Sequence, residues 1–77
     1  MNIVKAIKSI MKEEGITQKE MAERMGIQGG ANGISGRLGR SSLSVKSVCR
    51  FVEALPEWEL VLRRKDGTSE KVITDVE

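Results

Sequence analysis

Gln28, Asn32, Ser35 and Arg37 form a polar set whose residue types and close spacing suit hydrogen-bond recognition rather than bond making. An asparagine can pair bidentately with adenine and an arginine with guanine. The residues that make and break bonds are scarce. The 77 residues contain no histidine and one cysteine, Cys49. That excludes histidine acid–base catalysis and every Ser-His or Cys-His nucleophile, and an ordinary zinc site cannot be assembled. Cys49 falls in an apolar stripe with Val45, Val48 and Val52, so packing is its expected role. Met21 and Met25 likewise read as core. Glu13 and Glu14 are adjacent on a helix, point apart, and make no catalytic dyad. Neither catalysis, a cofactor nor a metal is expected.

The elements that must position the polar set are mostly helices. Ile3, Val4, Ile7, Ile10 and Met11 recur at three- and four-residue spacing, predicting a helix over 3–14 with Asn2 as N-cap and Gly15 as stop. Thr17-Gln18-Lys19-Glu20 is a capping box, in which Thr17 accepts from the Glu20 amide and Glu20 reaches back to the Thr17 amide. Ile16 and Met21 occupy the hydrophobic-staple positions. This second helix runs to Met25 and stops at Gly26, with Met21, Ala22 and Met25 inward. Six of the eight glycines lie in residues 26–42, yet Ile34 and Leu38 keep an i, i+4 pair and Ala31 sits three before Ile34. A short helix over 30–38, held by packing, is expected. Ser44 is placed as the cap of a further helix over 45–55. Val45, Val48, Cys49, Val52 and Leu55 form its stripe, Phe51 lies on the flank, and Pro56 ends it.

From Trp58 the period changes to two. Asp66-Gly67 is a hairpin turn signal, with the return strand over 69–74. A two-residue loop would pair Val61 with Val72 and Arg63 with Glu70; a three-residue loop with a glycine bulge would shift that register. The fold class is therefore mainly α with a small β-hairpin: four to five helices, then a two-stranded hairpin. The whole chain is one small domain, with residues 1–56 helical and 57–77 the hairpin element. The longest apolar run is three residues, so no membrane span is expected. The lone thiol and the absence of a hydrophobic secretion core point to the cytoplasm.

Charge is unevenly laid out on a net balance of only +2. No acidic residue lies between Glu23 and Glu53, whereas Arg24, Arg37, Arg40, Lys46 and Arg50 do, suggesting a surface that faces a polyanion. Two helices joined by a glycine turn over 17–38, with a small Ala22 where the second helix crosses, would present the second helix's outer face to a major groove about 12 Å wide.

The run Gly15-Ile16-Thr17-Gln18-Lys19-Glu20-Met21-Ala22-Glu23-Arg24-Met25-Gly26-Ile27, followed by Ile34-Ser35-Gly36-Arg37-Leu38, resembles the lambda-repressor-like, Cro/C1-type helix-turn-helix family of bacterial and phage regulators. The resemblance covers residues 3–55. Trp58-Glu59-Leu60-Val61-Leu62 with the following basic-Asp-Gly segment looks like the hairpin of short members from phage and mobile elements. One departure stands out. The family usually places four residues between its Gly-Ile and Ile/Val-Ser, and this chain has six, Gln28 to Gly33.

The resemblance implies a recognition helix at about 30–38 and a backbone-phosphate contact at Gln18. Gln28, Asn32, Ser35 and Arg37 surround that helix. Asn32 and Ser35 are expected toward the groove, and Arg37 toward a base or phosphate. Arg40, Ser41 and Lys46 are suited to phosphate contact. The function so implied is sequence-specific binding of double-stranded DNA by a small transcriptional regulator, a repressor of its own element. The alternatives are the antitoxin of a toxin–antitoxin pair, with a toxin protein as partner, or a protein-interaction module that has lost DNA binding. A homodimer through the C-terminal hairpin, residues 58–74, is expected because both hairpin faces carry apolar groups and its edges are open.

Overall fold

The computed structural model describes residues 1–39 and 43–74; the chain is mainly helical and ends in an antiparallel hairpin. The elements are α1 (Ile3–Glu14), α2 (Gln18–Met25), α3 (Gly30–Leu38), α4 (Val45–Glu53), β1 (Leu60–Arg63) and β2 (Glu70–Ile73). They divide into two compact units, Met1–Ser44 and Val45–Glu77. No helix among the described residues is long and apolar enough to cross a membrane.

The first unit follows its local signals closely. The Asn2 side chain accepts from the Lys5 amide at 2.9 Å, and Gly15 closes α1 with φ 67°. The Ile16 amide returns to the Met11 carbonyl at 2.8 Å, the 6→1 bond of a Schellman ending. Val4, Ile7 and Met11 are buried, and Ile3 and Ile10 half-buried. Ile16 and Met21, the staple pair, are buried, as are Ala22, Ile34 and Leu38. Ala31 departs from expectation and is exposed. It lies in the first turn of α3, and helical side chains lean toward the N-terminus, so its methyl leans off the end of the apolar stripe.

The capping box is half made. Thr17 Oγ1 accepts from the Glu20 amide at 3.1 Å, but the Glu20 carboxylate takes a hydrogen bond from Arg24 Nη2, also at 3.1 Å. A guanidinium one turn on is a charge-assisted partner, and it draws the carboxylate away from the Thr17 amide. Thr17→Ala leaves one α2 amide without its cap. It is expected to lower stability by about 1 kcal/mol, measured by urea denaturation.

In the second unit α4 stops at Glu53, two residues short of the expected end. The Ala54 and Leu55 amides bond to the Phe51 and Val52 carbonyls at 3.1 and 2.9 Å, a tightened i→i+3 exit ahead of Pro56. Val48, Cys49, Ala54 and Leu55 are buried, and Val52 half-buried. Two expectations about this stripe are corrected. Val45 is 66% exposed, because its side chain leans back past the first turn of α4. Phe51, expected on the flank, is fully buried, so the apolar face of α4 is wide enough to take its ring.

The hairpin has the expected register, Leu60↔Ile73, Val61↔Val72, Leu62↔Lys71 and Arg63↔Glu70. Its turn differs from the expected two-residue one. The Gly67 amide bonds to the Arg64 carbonyl and the Arg64 amide to the Ser69 carbonyl, both at 2.9 Å, which leaves Lys65–Thr68 as a four-residue loop. A two-residue type I′ turn at Asp66-Gly67 would need positive φ at both residues, and among the described residues only glycines have it. Asp66 instead uses its side chain: Oδ1 accepts from the Thr68 amide at 3.0 Å and the Thr68 hydroxyl at 2.6 Å, and Oδ2 from Arg64 Nε at 3.0 Å. Both loop lengths are even, so the register is unchanged.

These bonds to Thr68, and then Arg64, hold the Asp66 carboxyl below its ordinary pKa. The folded value is lower than the unfolded one, so the contribution is present above the unfolded pKa and is lost as pH falls through the folded one. Asp66→Asn should therefore lower stability at neutral pH and flatten the acid limb, so that the variant and wild type converge as the pH falls below about 4. A wild-type-like acid limb in that variant would contradict the assignment.

Candidate nucleic-acid interface

α2 and α3 pack against each other as the principal helix pair of the first unit. Gly26 ends α2 with φ 66°, and the Ile27 amide returns to the Ala22 carbonyl at 3.0 Å. Ala22 is thus both the small buried residue facing the crossing and an anchor of the turn. Gly29 and Gly30 then adopt φ 92° and 56°, two consecutive left-handed residues that reverse the chain into α3. Gly33 is small for a different reason. A Cβ there would stand 2.8 Å from the Gln28 carbonyl oxygen and 2.8 Å from Ile27 Cγ2. Ile27 and Gln28 are folded tightly against the start of α3, and a hydrogen at Gly33 makes room for them.

The orientation of α3 follows from its buried residues. Ile34 and Leu38 are 0% and 2% exposed and set the inward direction. At about 100° per residue, Gly36 and Asn32 fall on the opposite side, with Ser35 about 60° from Asn32. Asn32, Ser35 and Gly36 are all exposed or partly so, with none of them buried. Asn32 therefore points about 140° from the buried direction and Ser35 about 80°, both exposed. Arg37, also exposed, diverges from Ser35 by about 200°. Its Nη1 donates to the Gly33 carbonyl at 3.0 Å, which lays the guanidinium back along the helix beside the turn. Gly29, the N-cap residue of α3, gives it no side-chain cap.

Gln18 is the first residue of α2 and is half-buried; Gln28 is exposed in the turn. Lys46 is exposed on the first turn of α4, in the second unit. Arg40 and Ser41 lie outside the described residues. Arg24 is held by Glu20, so this basic residue of α2 carries a local counter-charge.

Two further basic residues stand close to Gln18. Lys8 and Lys12 of α1 line a cleft of about 340 Å³ with Met11, Ile16, Thr17, Gln18 and Leu38. Their i, i+4 spacing shows that they share one face of α1. Only the packing of α1 beside the start of α2 places them next to the helix end where an anion is favoured. Among the described residues, no group of three or more acidic, histidine or cysteine side chains is arranged to hold a metal ion.

No family model matches the chain, no curated protein is significantly similar to it, and no solved structure matches its fold.

Proposed function

We propose that this protein binds double-stranded DNA in a sequence-specific manner, with α3 in the major groove, and acts in the cytoplasm as a small transcriptional regulator that represses by occupying its site. The observation that carries the reading is the α2–α3 pair. α3 buries Ile34 and Leu38 and leaves Asn32 and Ser35 exposed, and the turn before it is compact enough to leave them clear. The absence of acidic residues between Glu23 and Glu53 supports it, because such a surface does not repel phosphate.

In this reading Asn32 and Ser35 meet base edges. Arg37 leaves its bond to the Gly33 carbonyl to reach a base or a phosphate. Gln18 and the α2 amides meet the backbone, with Lys8 and Lys12 beside them. Lys46, with Arg40 and Ser41 of the preceding segment, extends the phosphate contacts. The active species is a homodimer assembled through the C-terminal hairpin, whose Trp58, Leu62 and Val72 are large apolar side chains at the surface. Two copies can then read half-sites about one helical turn apart.

Substitution within α3 tests the assignment. Arg37→Ala is expected to weaken specific binding by about 1–3 kcal/mol if Arg37 pairs with guanine, and to relax preference at one base position. If it meets only a phosphate, the loss is uniform across sequences and the salt slope falls by about one. Unchanged affinity and preference in a gel-shift titration would remove Arg37 from the interface.

A further inference from the structure

Among the described residues, the strand β1 is bonded to β2 alone. Its other edge has a definite polarity. The Arg64 amide donates to the Ser69 carbonyl, and the register below that pair then turns the backbone polar groups of Leu60 and Leu62 toward β2. Alternation along an antiparallel ladder leaves those of Glu59, Val61 and Arg63 directed outward. Such an edge is a template for another strand.

We propose that this edge pairs antiparallel with the same edge of a second copy of the chain, on a two-fold axis through Val61, to make a continuous sheet in the order β2–β1–β1–β2. The proposal rests on the homodimer reading above and specifies its interface; it does not depend on DNA binding. Three observations choose the occupant and the register.

The first is charge complementarity. With the axis at Val61, Glu59 of each copy faces Arg63 of the other, twice over, and Leu60 faces Leu62. Moving the axis to residue 60 sets Glu59 against Val61, and moving it to residue 62 sets Val61 against Arg63. An axis at 59 or 63 opposes Glu to Glu or Arg to Arg. The Val61 axis is the one in this set that opposes unlike charges. Among the described residues, neither Glu59 nor Arg63 is held in an ion pair within its own chain.

The second is backbone parity. The residues whose backbone groups turn outward are Glu59, Val61 and Arg63, and this register brings those residues opposite one another, so every facing pair can exchange hydrogen bonds. The third is what lies across the four strands. One face acquires an unbroken row Val72–Val61–Val61–Val72. The other sets Ile73–Leu60 of one copy beside Leu62–Lys71 of the next. Leu62, 68% exposed in the single chain, gains Leu60 of the second copy on one face, and Val61 gains its own counterpart on the other. The contact is isologous, so it closes at two copies.

The test is sedimentation equilibrium at low salt and micromolar concentration on the full chain. The samples are wild type, Glu59→Arg, Arg63→Glu, their equimolar mixture, and the double variant carrying both changes. Both sites are exposed, and far-UV circular dichroism checks that each variant is folded. Wild type should dimerise, and each single variant should self-associate about 10- to 100-fold more weakly, because two attractive pairs become repulsive. The mixture should dimerise again, since the arginine introduced in one chain then faces the glutamate introduced in the other. The double variant should dimerise alone. A wild-type dimer that survives either single change, or a mixture that fails to rescue, overturns this register while leaving the dimer intact. A wild type that stays monomeric at tens of micromolar overturns the register and the homodimer together.

Discussion

Gly33→Ala is expected to destabilise the protein by about 1–3 kcal/mol, whereas Gly36→Ala, three residues along the same helix, should stabilise it by about 0.5–1 kcal/mol. Intrinsic helix propensity favours both changes, so the opposite signs isolate packing. At Gly33 the new methyl would sit 2.8 Å from the Gln28 carbonyl oxygen, a backbone atom that cannot rotate aside, and 2.8 Å from Ile27 Cγ2. Relief requires the turn to move away from α3, and that turn contains the left-handed pair Gly29-Gly30. At Gly36 a methyl meets nothing within 4 Å. In a chain of this size, each kcal/mol moves the melting temperature by about 4–8 °C, so the two variants should melt well apart on either side of wild type. If Gly33→Ala melted at or above wild type, the close packing of Ile27 and Gln28 against α3 would be wrong.

The largest expected effect is on DNA affinity as salt is raised. If each copy meets three or four phosphates through Gln18, Lys8, Lys12, Lys46 and the α2 amides, a dimer neutralises roughly six to eight. Affinity should then fall by about 10³-fold or more between 50 and 200 mM salt, with a log–log slope near −0.9 per phosphate contact. Lys8→Ala and Lys12→Ala, in the cleft beside Gln18, should each reduce the slope by about one without altering sequence preference. Asn32→Ala should do the reverse, leaving the slope and changing the preference. A binding curve flat in salt would rule out the polyanion surface.

Much of this arrangement is legible in the residues, because the signals are local. Asn2 and Gly15 bracket an unbroken three-and-four spacing, so the bounds of α1 follow directly. Thr17 and Gly26 do the same for α2. α3 is glycine-rich and intrinsically weak, but Ile34 and Leu38 at i, i+4 demand a common buried face, and that same pair turns Asn32 away from the core and leaves Ser35 on the flank. The departures arise where a choice depends on a third residue. Glu20 has two candidate partners within reach, and the cation one turn on prevails over an uncharged amide. Asp66-Gly67 can make a two-residue turn, but the Thr68 amide and hydroxyl give the carboxylate better partners in a four-residue loop. Val45 and Ala31 fit the helical period and are exposed because they lie in first turns, where side chains lean off the end. The Lys8–Lys12 cleft and the squeeze at Gly33 are tertiary facts. They depend on where α1 meets the start of α2 and where the turn meets α3, and neither has a signature along the chain.

Whether the outer face of α3 reads base pairs is decided by selection from a random-sequence double-stranded DNA library, run in parallel on wild type and on Asn32→Ala, Ser35→Ala and Arg37→Ala. Wild type should enrich one motif built of two half-sites about 10 base pairs apart, and the variant at a base-reading position should lose preference at a symmetric pair of positions while keeping the rest. No enrichment above the input library by a folded wild-type protein, or the same motif recovered from all three variants, would contradict base reading by α3.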